Sequence, residues 1–382
     1  MPSKAFLRQA NESLVMNMIR EHPGISRLEI ARGSKLSPTA ITMITGRLVR
    51  GGLLQEEKLS GTTQLGRRPT ALYLQPVSRL AIGVEINPTD AIVVLADLTG
   101  RTVQEIDIPA AGYSDAMLER INAAIQKTIE SAKAPVLGVG VSVPGIFEPS
   151  TGKVIAAPNL HWRDIDAIGA LRRGIQLPFY YENNSNLSAL AEWWFGTQRR
   201  RNFVFVTFGG GIGAGVIAGG HLQEGASLRA GEFGHMSIEC QGRTCLCGNR
   251  GCWEEYASDR AILRAYAEAG GCADTALAIL QHARNGEDLA VRVLDEAAGY
   301  MAIGFANIVV ALNPEAIIVD NFVAGGWEFF EPRIWKGLRD RLQEFWLTGL
   351  QILPSEHALD SSRLGAVALV LSKYFRESGP LG

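Results

Sequence analysis

Residues 80–100, LAIGVEINPTDAIVVLADLTG, read as an apolar strand, a turn of small and polar residues around Pro88, a second apolar strand and a closing turn. The same plan recurs at residues 203–220, FVFVTFGGGIGAGVIAGG. A further strand, VLGVGVSVPGIF at 136–147, lies between them, and helical stretches alternate with the strands, so this part of the chain is α/β. Two copies of one plan predict two related lobes, and a cleft between such lobes is a favoured place for a small ligand.

Outward from this body, the chain of 382 residues exceeds a typical single-core domain, which predicts more than one module. Hydrophobic residues at 47% and charged residues at 20%, with no low-complexity tract, exclude a disordered, collagenous or mucin-like chain. The longest apolar stretch, residues 301–312, is broken by Asn307 and is too short to cross a bilayer, and the opening MPSKAFLRQANESL lacks an apolar signal-peptide core. The expected compartment is the cytoplasm, with no membrane partner. The net charge of −2 conceals an asymmetry: residues 1–80 hold twelve Lys/Arg against five Asp/Glu, and the remainder holds 25 against 34. A basic head on an acidic body fits a nucleic-acid-binding module joined to something else.

In that head, Leu7, Leu14, Val15, Met18 and Ile19 recur at helical spacing until Pro23 and Gly24 end a first helix. A second begins with the Ser26-x-x-Glu29 spacing of a capping box, carries Leu28, Ile30 and Ala31 on its apolar side, and is expected to stop at Gly33. A third starts at Ser37 with Pro38 in the first helical position, and buries Ala40, Ile41, Ile44, Leu48 and Val49 before Gly51 and Gly52. Its other face presents Thr39, Thr42, Met43, Arg47 and Arg50, chemistry suited to base edges and phosphates in a major groove. Two strands, residues 53–59 and 70–74, then flank the loop SGTTQLGRRP, whose Arg67 and Arg68 would sit at the tip of a wing reaching a minor groove. The whole reads as a winged helix-turn-helix; a small helical bundle and hairpin with solvated polar faces is the alternative.

The sharpest chemical signal is GHMSIECQGRTCLCGNRGC, which offers His235, Cys245, Cys247 and Cys252 on one glycine-punctuated loop. Three reduced thiols and an imidazole make a suitable set for structural tetrahedral zinc, with Cys240 as an alternative to His235. Cys272 lies apart and reads as a buried small hydrophobe.

Several stretches together resemble the ROK family of repressors and sugar kinases: Pro144-Gly145, APNLHW at 157–162, ENNSN at 182–186, GEFGH at 231–235 and CLCGNRGCWEEYAS at 245–258. The resemblance covers nearly the whole chain. It implies a winged helix-turn-helix at residues 1–78 and, over 79–382, a two-lobed domain related to hexokinase and actin. Lobe one would span about 79–190 plus the C-terminal helix, and lobe two about 191–355. It further implies zinc near a sugar pocket formed by Asn159, Asn183, Asn184, Glu232, His235 and Glu254, and a homodimer or homotetramer. Carboxylates and amides bind adjacent hydroxyls directionally, and His235 is suited to give one nitrogen to the metal and turn the other to the sugar. By themselves, the two glutamates also read as surface carboxylates and the asparagines as turn residues.

The resemblance also exposes what is missing. The family's kinases carry an aspartate general base where this chain has Asn184, and an amide cannot accept the hydroxyl proton. Their first phosphate loop, like DxGGT, is replaced by Glu85, Ile86, Asn87, Pro88 and Thr89, and Pro88 removes a backbone donor. The second survives as TFGGGIGAG with Gly210 in place of threonine, and a glycine pair expected near the nucleotide base is replaced by Asp320, Asn321 and Phe322. The expectation is therefore a regulator without kinase activity that binds a double-stranded DNA operator and answers to a sugar or sugar phosphate. A sugar kinase with an added DNA-binding head, and a DNA-binding scaffold without a sugar ligand, are the rivals.

Overall fold

The computed structural model describes residues 4–58, 70–88, 90–109, 115–143, 145–148, 150–157, 160–198, 200–227, 229–357 and 360–377. Asn159, Thr89, Arg67, Arg68 and the tip of the wing lie outside them.

The head is three helices and a ribbon: α1 (Lys4–Glu21), α2 (Arg27–Ser34), α3 (Pro38–Arg50), then β1 (Leu54–Lys58) antiparallel to β2 (Thr70–Leu74). The caps form as the sequence predicts. Ser26 Oγ accepts from Glu29 N while Ser26 N donates to Glu29 Oε2 at 2.8 Å, and Ser37 Oγ accepts from Ala40 N at 3.2 Å with Pro38 in the first turn. Gly33 does not stop α2. The helix continues to Ser34 and ends on left-handed Lys35 (φ 59°); Gly33 serves a close approach instead, because a Cβ there would stand 2.7 Å from Met18 Cε on α1. On α1, Val15, Met16 and Ile19 are buried, whereas Leu7 and Leu14 are exposed, as is Leu28 on α2. Helical spacing alone placed those leucines in the core.

The body opens immediately after the ribbon. Lobe one contains β3 (Leu80–Ile86), β4 (Asp90–Asp97), β5 (Thr102–Pro109), α4 (Asp115–Ser131) and β6 (Val136–Val143). A small antiparallel sheet of β7 (Ile146–Phe147), β8 (Val154–Ala157) and β9 (Trp162–Ile165) follows, then α5 (Ala167–Arg172), β10 (Phe179–Asn183) and α6 (Asn184–Phe195). Lobe two contains β11 (Phe203–Phe208), β12 (Ile212–Ala218), β13 (His221–Leu222), α7 (Glu254–Ala257), α8 (Asp259–Glu268), α9 (Ala276–Arg284) and α10 (Asp288–Leu312). It closes with β14 (Ala316–Val319), α11 (Asn321–Gly325), α12 (Trp327–Arg339), α13 (Glu344–Leu347) and β15 (Gln351–Pro354), before α14 (Ser361–Glu377).

The two large sheets share one topology. Lobe one has the order β10-β6-β3-β4-β5 and lobe two β15-β14-β11-β12-β13, each with an antiparallel hairpin at one side and parallel strands at the other. Residues 80–100 and 203–220 supply the matching hairpins. The expected lobe boundary near residue 190 falls inside α6, which packs with α14 between the two sheets. Helix α10 is long and apolar enough to span a membrane by composition, but Val293, Leu294, Met301, Phe305 and Ile308 are buried in the core of lobe two. Cys272 is exposed, contrary to its reading as a core residue. It lies in the irregular connection between α8 and α9, which runs mostly exposed over the surface.

Head and body share a core. Val15, Met16 and Ile19 of α1, Ile41 and Ile44 of α3, and Leu72 of β2 belong to one buried cluster with Ala81, Val94, Leu190, Trp194, Val370 and Phe375. The connection between β2 and β3 is a single 3-10 turn, Pro76–Ser78.

Candidate functional site

The end of β10 and the start of α6 bring the ENNSN residues to one edge of lobe one. Asn183 caps α6, its Oδ1 accepting from Asn186 N at 2.8 Å, and buried Glu182 accepts from Asn183 N at 2.8 Å and Asn186 Nδ2 at 3.2 Å. Burial pushes the Glu182 carboxyl above its ordinary range, against the pull of these two donors. The turn is therefore pinned from beneath while Asn184 is exposed in the first turn of the helix.

Across from it, lobe two supplies Glu232 and His235 from a 3-10 turn and Glu254 from the start of α7. Asn183, Asn184, Glu232, His235 and Glu254 all line one cavity of ≈ 350 Å³ between the lobes. Ile146, Ser185, Leu246 and Arg260 join them, none of which the sequence singled out. Arg260 stands 3.8 Å from Glu254 Oε1 and 2.7 Å from Glu255 Oε1, a contact made by the turn between α7 and α8. Partial burial raises the Glu232 carboxyl from its ordinary range, opposed by His235.

His235 faces two ways. Its Nδ1 lies 3.7 Å from Cys245 Sγ and 3.6 Å from Glu254 Oε1, and its Nε2 lies 3.9 Å from Glu232 Oε2. Cys247 and Cys252 approach to 3.7 Å between sulfurs, and the four donor atoms of His235, Cys245, Cys247 and Cys252 all fall within 4.8 Å of one another. Tetrahedral zinc with Zn–S bonds of about 2.3 Å separates its sulfurs by about 3.8 Å, so this spacing fits the ion. The loop is held by its own backbone: Cys245 N donates to Asn249 O at 2.9 Å, Cys247 N approaches Cys245 Sγ at 3.5 Å, and Asn249 Nδ2 donates to His235 O at 3.2 Å. Burial drives the Cys245 thiol upward, with Glu254 Oε1 only 3.0 Å from the sulfur adding to the effect. Cys240, the alternative ligand, is exposed and is not one of the four converging donors.

In the head, Thr39, Thr42, Met43 and Arg50 are exposed on α3, and the Thr42 hydroxyl donates to Pro38 O at 2.9 Å. Arg47 differs. It is half-buried and paired with Glu12 of α1, so its charge braces α3 against α1 rather than standing free on the outer face. Helical spacing gave its direction and could not reveal a partner from another helix.

A model of the ROK family matches residues 81–373, and one of winged helix-turn-helix DNA-binding domains matches residues 9–55. The chain is 30% identical to the xylose repressor of Caldicellulosiruptor bescii, over 97% of this chain and 98% of that one. It is 28% identical to the DNA-binding transcriptional dual regulator NagC of Escherichia coli, over 95% and 93%. Its fold superposes with a TM-score of 0.82 on the crystal structure of a ROK family transcriptional regulator described as a homologue of the E. coli MLC protein, 24% identical and covering 97% of each chain. A ROK family glucokinase from Streptomyces griseus, in complex with glucose and AMPPNP, superposes at 0.65 with 29% identity over 76% of this chain and 98% of that one. Matched in sequence across both the helical head and the two-lobed body, this chain belongs to the ROK family and begins with a winged helix-turn-helix.

Proposed function

We propose that the protein is a sugar-responsive DNA-binding transcriptional regulator, a repressor of carbohydrate uptake or catabolism genes, whose ROK body senses a sugar or sugar phosphate without phosphorylating it. The observation that carries this reading is a connection. Helix α6 begins in the cleft with its cap Asn183 and with Asn184, and its last turn carries Trp194, whose ring centre lies 3.9 Å from the Arg20 guanidinium of the DNA-binding head. The named repressors among its relatives support it.

In this reading Asn183, Asn184, Glu232, His235 and Glu254, with Asn159 from outside the described residues, take the hydroxyls. Thr39, Thr42, Met43 and Arg50 read the major groove, Arg67 and Arg68 enter the minor groove, and Arg47 positions the recognition helix. A dimer sets two such helices about 34 Å apart along the operator. The protein then works in the cytoplasm, on double-stranded DNA. Sugar binds the low-DNA-affinity arrangement more tightly, and a coupling of about 1–3 kcal/mol changes operator affinity about 5- to 150-fold.

His235, Cys245, Cys247 and Cys252 would hold a zinc ion, which would offset most of the thiolate charge and so fix the loop that carries His235 and Glu254 into the cleft. Chelation is therefore expected to abolish sugar-driven release before it abolishes operator binding; unchanged release after verified metal loss would remove the ion from the mechanism.

The similarity to a glucokinase keeps an enzyme reading in play. Against it stands Asn184 in the general-base position, a loss of roughly 100- to 10,000-fold for such catalysis. The first phosphate turn is also short of donors: Asn87 N is spent on Asp90 O at 2.8 Å and Pro88 has none. The experiment pairs calorimetry with xylose, glucose and N-acetylglucosamine against a coupled ATP-turnover assay with the same panel. Binding and operator release without ADP formation are expected; sugar-dependent ADP formation would establish the kinase instead.

A further inference from the structure

The carboxylates of Glu232 and Glu254 both line the cleft, and Arg260 is the one Lys or Arg among its described lining residues. That guanidinium is already engaged. Its Nη2 stands 2.7 Å from Oε1 of Glu255, which is 4% exposed, and 3.8 Å from Oε1 of Glu254. Drawing it away to a ligand would strip counter-charge from two buried carboxylates. Arg229 attracts Glu232, but it is exposed and does not line the cavity. Zinc would not supply the missing cation either, because three thiolates around one dication leave that centre net negative.

The glycine turn between β11 and β12 is occupied as well. A Cβ on Gly211 would stand 2.6 Å from Glu254 Oε2, so a carboxylate lies against the backbone on which a phosphate would otherwise rest. Within the turn, Gly209 N is spent on Gly211 O at 3.0 Å. An anion brought here meets like charge in a cavity that screens it poorly. Two other lining residues are apolar and come from opposite lobes: Ile146, 49% exposed, and Leu246, 76% exposed. Leu246 is placed by its neighbours, since Cys245 and Cys247 on either side both converge on the candidate metal position.

We propose that the cleft selects an uncharged sugar over its phosphate ester, with Glu232 and Glu254 accepting from the hydroxyls and Ile146 and Leu246 covering the C–H surface of the ring. This rests on the sugar-sensing reading and narrows its ligand to the unphosphorylated class. A hydroxyl offers a carboxylate a hydrogen; a phosphate dianion offers none and adds charge.

The test is isothermal titration calorimetry on the full chain at about pH 8, with glucose, N-acetylglucosamine and xylose each set against glucose 6-phosphate, N-acetylglucosamine 6-phosphate and xylose 5-phosphate. At least one sugar is expected to bind, and its ester 10-fold or more weaker. An ester that binds within 10-fold of its parent sugar, or tighter, overturns this selectivity and leaves sugar sensing standing; silence from all the probes overturns both. Glu232→Gln keeps an acceptor and removes a charge, so it is expected to narrow the gap between sugar and ester, a ratio that a merely structural role would not move. An unchanged ratio would remove the carboxylate from the discrimination. Leu246→Ala is expected to weaken the sugar roughly 3- to 10-fold, and unchanged affinity would overturn the apolar contact. Leu246 is exposed, so its truncation keeps the test alive should thermal melting show Glu232→Gln to be unfolded.

Discussion

Asp320 opens the stretch Asp320-Asn321-Phe322 where the resemblance to the kinases leads one to expect a glycine pair, and it is buried, accepting from Phe208 N at 3.1 Å to tie the end of β14 to the end of β11. Burial holds its carboxyl well above the ordinary value of 3.8, so the folded protein keeps this proton after the unfolded chain has released it. The sign follows directly. Stability from this group is greatest below the unfolded value and falls as pH rises towards the folded one, by about 1.4 kcal/mol for each pH unit in that window. Asp320→Asn keeps an oxygen for Phe208 and has no proton to lose. Urea unfolding at about pH 5 and about pH 8 is therefore expected to show the variant gaining on the parent as pH rises; a difference that stays constant would mean Asp320 is already ionised in the fold. The residue was conspicuous in the sequence only as a departure from the kinases. Its burial was not legible, because the hydrogen bond that holds it joins strands more than a hundred positions apart. The cysteine and ENNSN residues were legible for the opposite reason: each set sits on one short segment, so spacing alone brings the donors together.

Elements whose ends are decided locally were readable in the same way. Ser26, Ser37 and the two long hairpins act through neighbours three residues away or through alternation along one strand, and each forms where the sequence predicts. What α6 does was not readable, since its two ends serve different partners. Its first turn faces the cleft, and its last carries Trp193 and Trp194 against Arg20, at 4.8 Å and 3.9 Å from the ring centres. In the sequence Arg20 is one more charge at the end of α1. In the fold it is 5% exposed and is the point where the head grips the helix that begins at the proposed sugar site. A cation over an aromatic face contributes about 0.5–2 kcal/mol, depending on how dry the contact is. If that contact transmits the signal, Arg20→Met, which keeps an apolar stem and removes the cation, is expected to cut sugar-driven operator release by roughly 2- to 30-fold while calorimetric sugar affinity stays near that of the parent. Fluorescence anisotropy on an operator selected from random DNA measures the release. Unaltered release would route the signal elsewhere, with α14 the next candidate because Ser13 Oγ of α1 donates to Phe375 O at its end.

For the molecule as a whole, the charge asymmetry and the change of texture near residue 80 divide the chain into a reader and a sensor, yet the packing does not separate them. Winged helices joined to sensors by long linkers move independently of them, because few contacts cross the boundary. Here the link is one 3-10 turn at Pro76–Ser78, and the buried faces of Ile19, Leu72, Ala81, Val94, Leu190, Trp194 and Phe375 form one cluster. Ala81 and Val94 lie on the face of the lobe-one sheet that α14 covers, and the head packs in turn on α6 and α14, with Arg20 over Trp194 and Ser13 Oγ donating to Phe375 O. Two physical consequences follow. A change in the angle between the lobes is delivered to the head through packed side chains, with no slack in which to dissipate, as a sensor that acts at a distance needs. The head also has no stability separable from that cluster. Heating or urea is therefore expected to remove the helix signal of the head and the tryptophan signal of Trp193 and Trp194 at one midpoint. The fragment 79–382 is expected to melt several degrees below the full chain and to bind a hydrophobic dye through the ends of α6 and α14 that the head no longer covers. A distinct early transition of the head, with the fragment as stable as the parent, would show instead that reader and sensor are tethered modules, and the route through Arg20 and α6 would lose its mechanical basis.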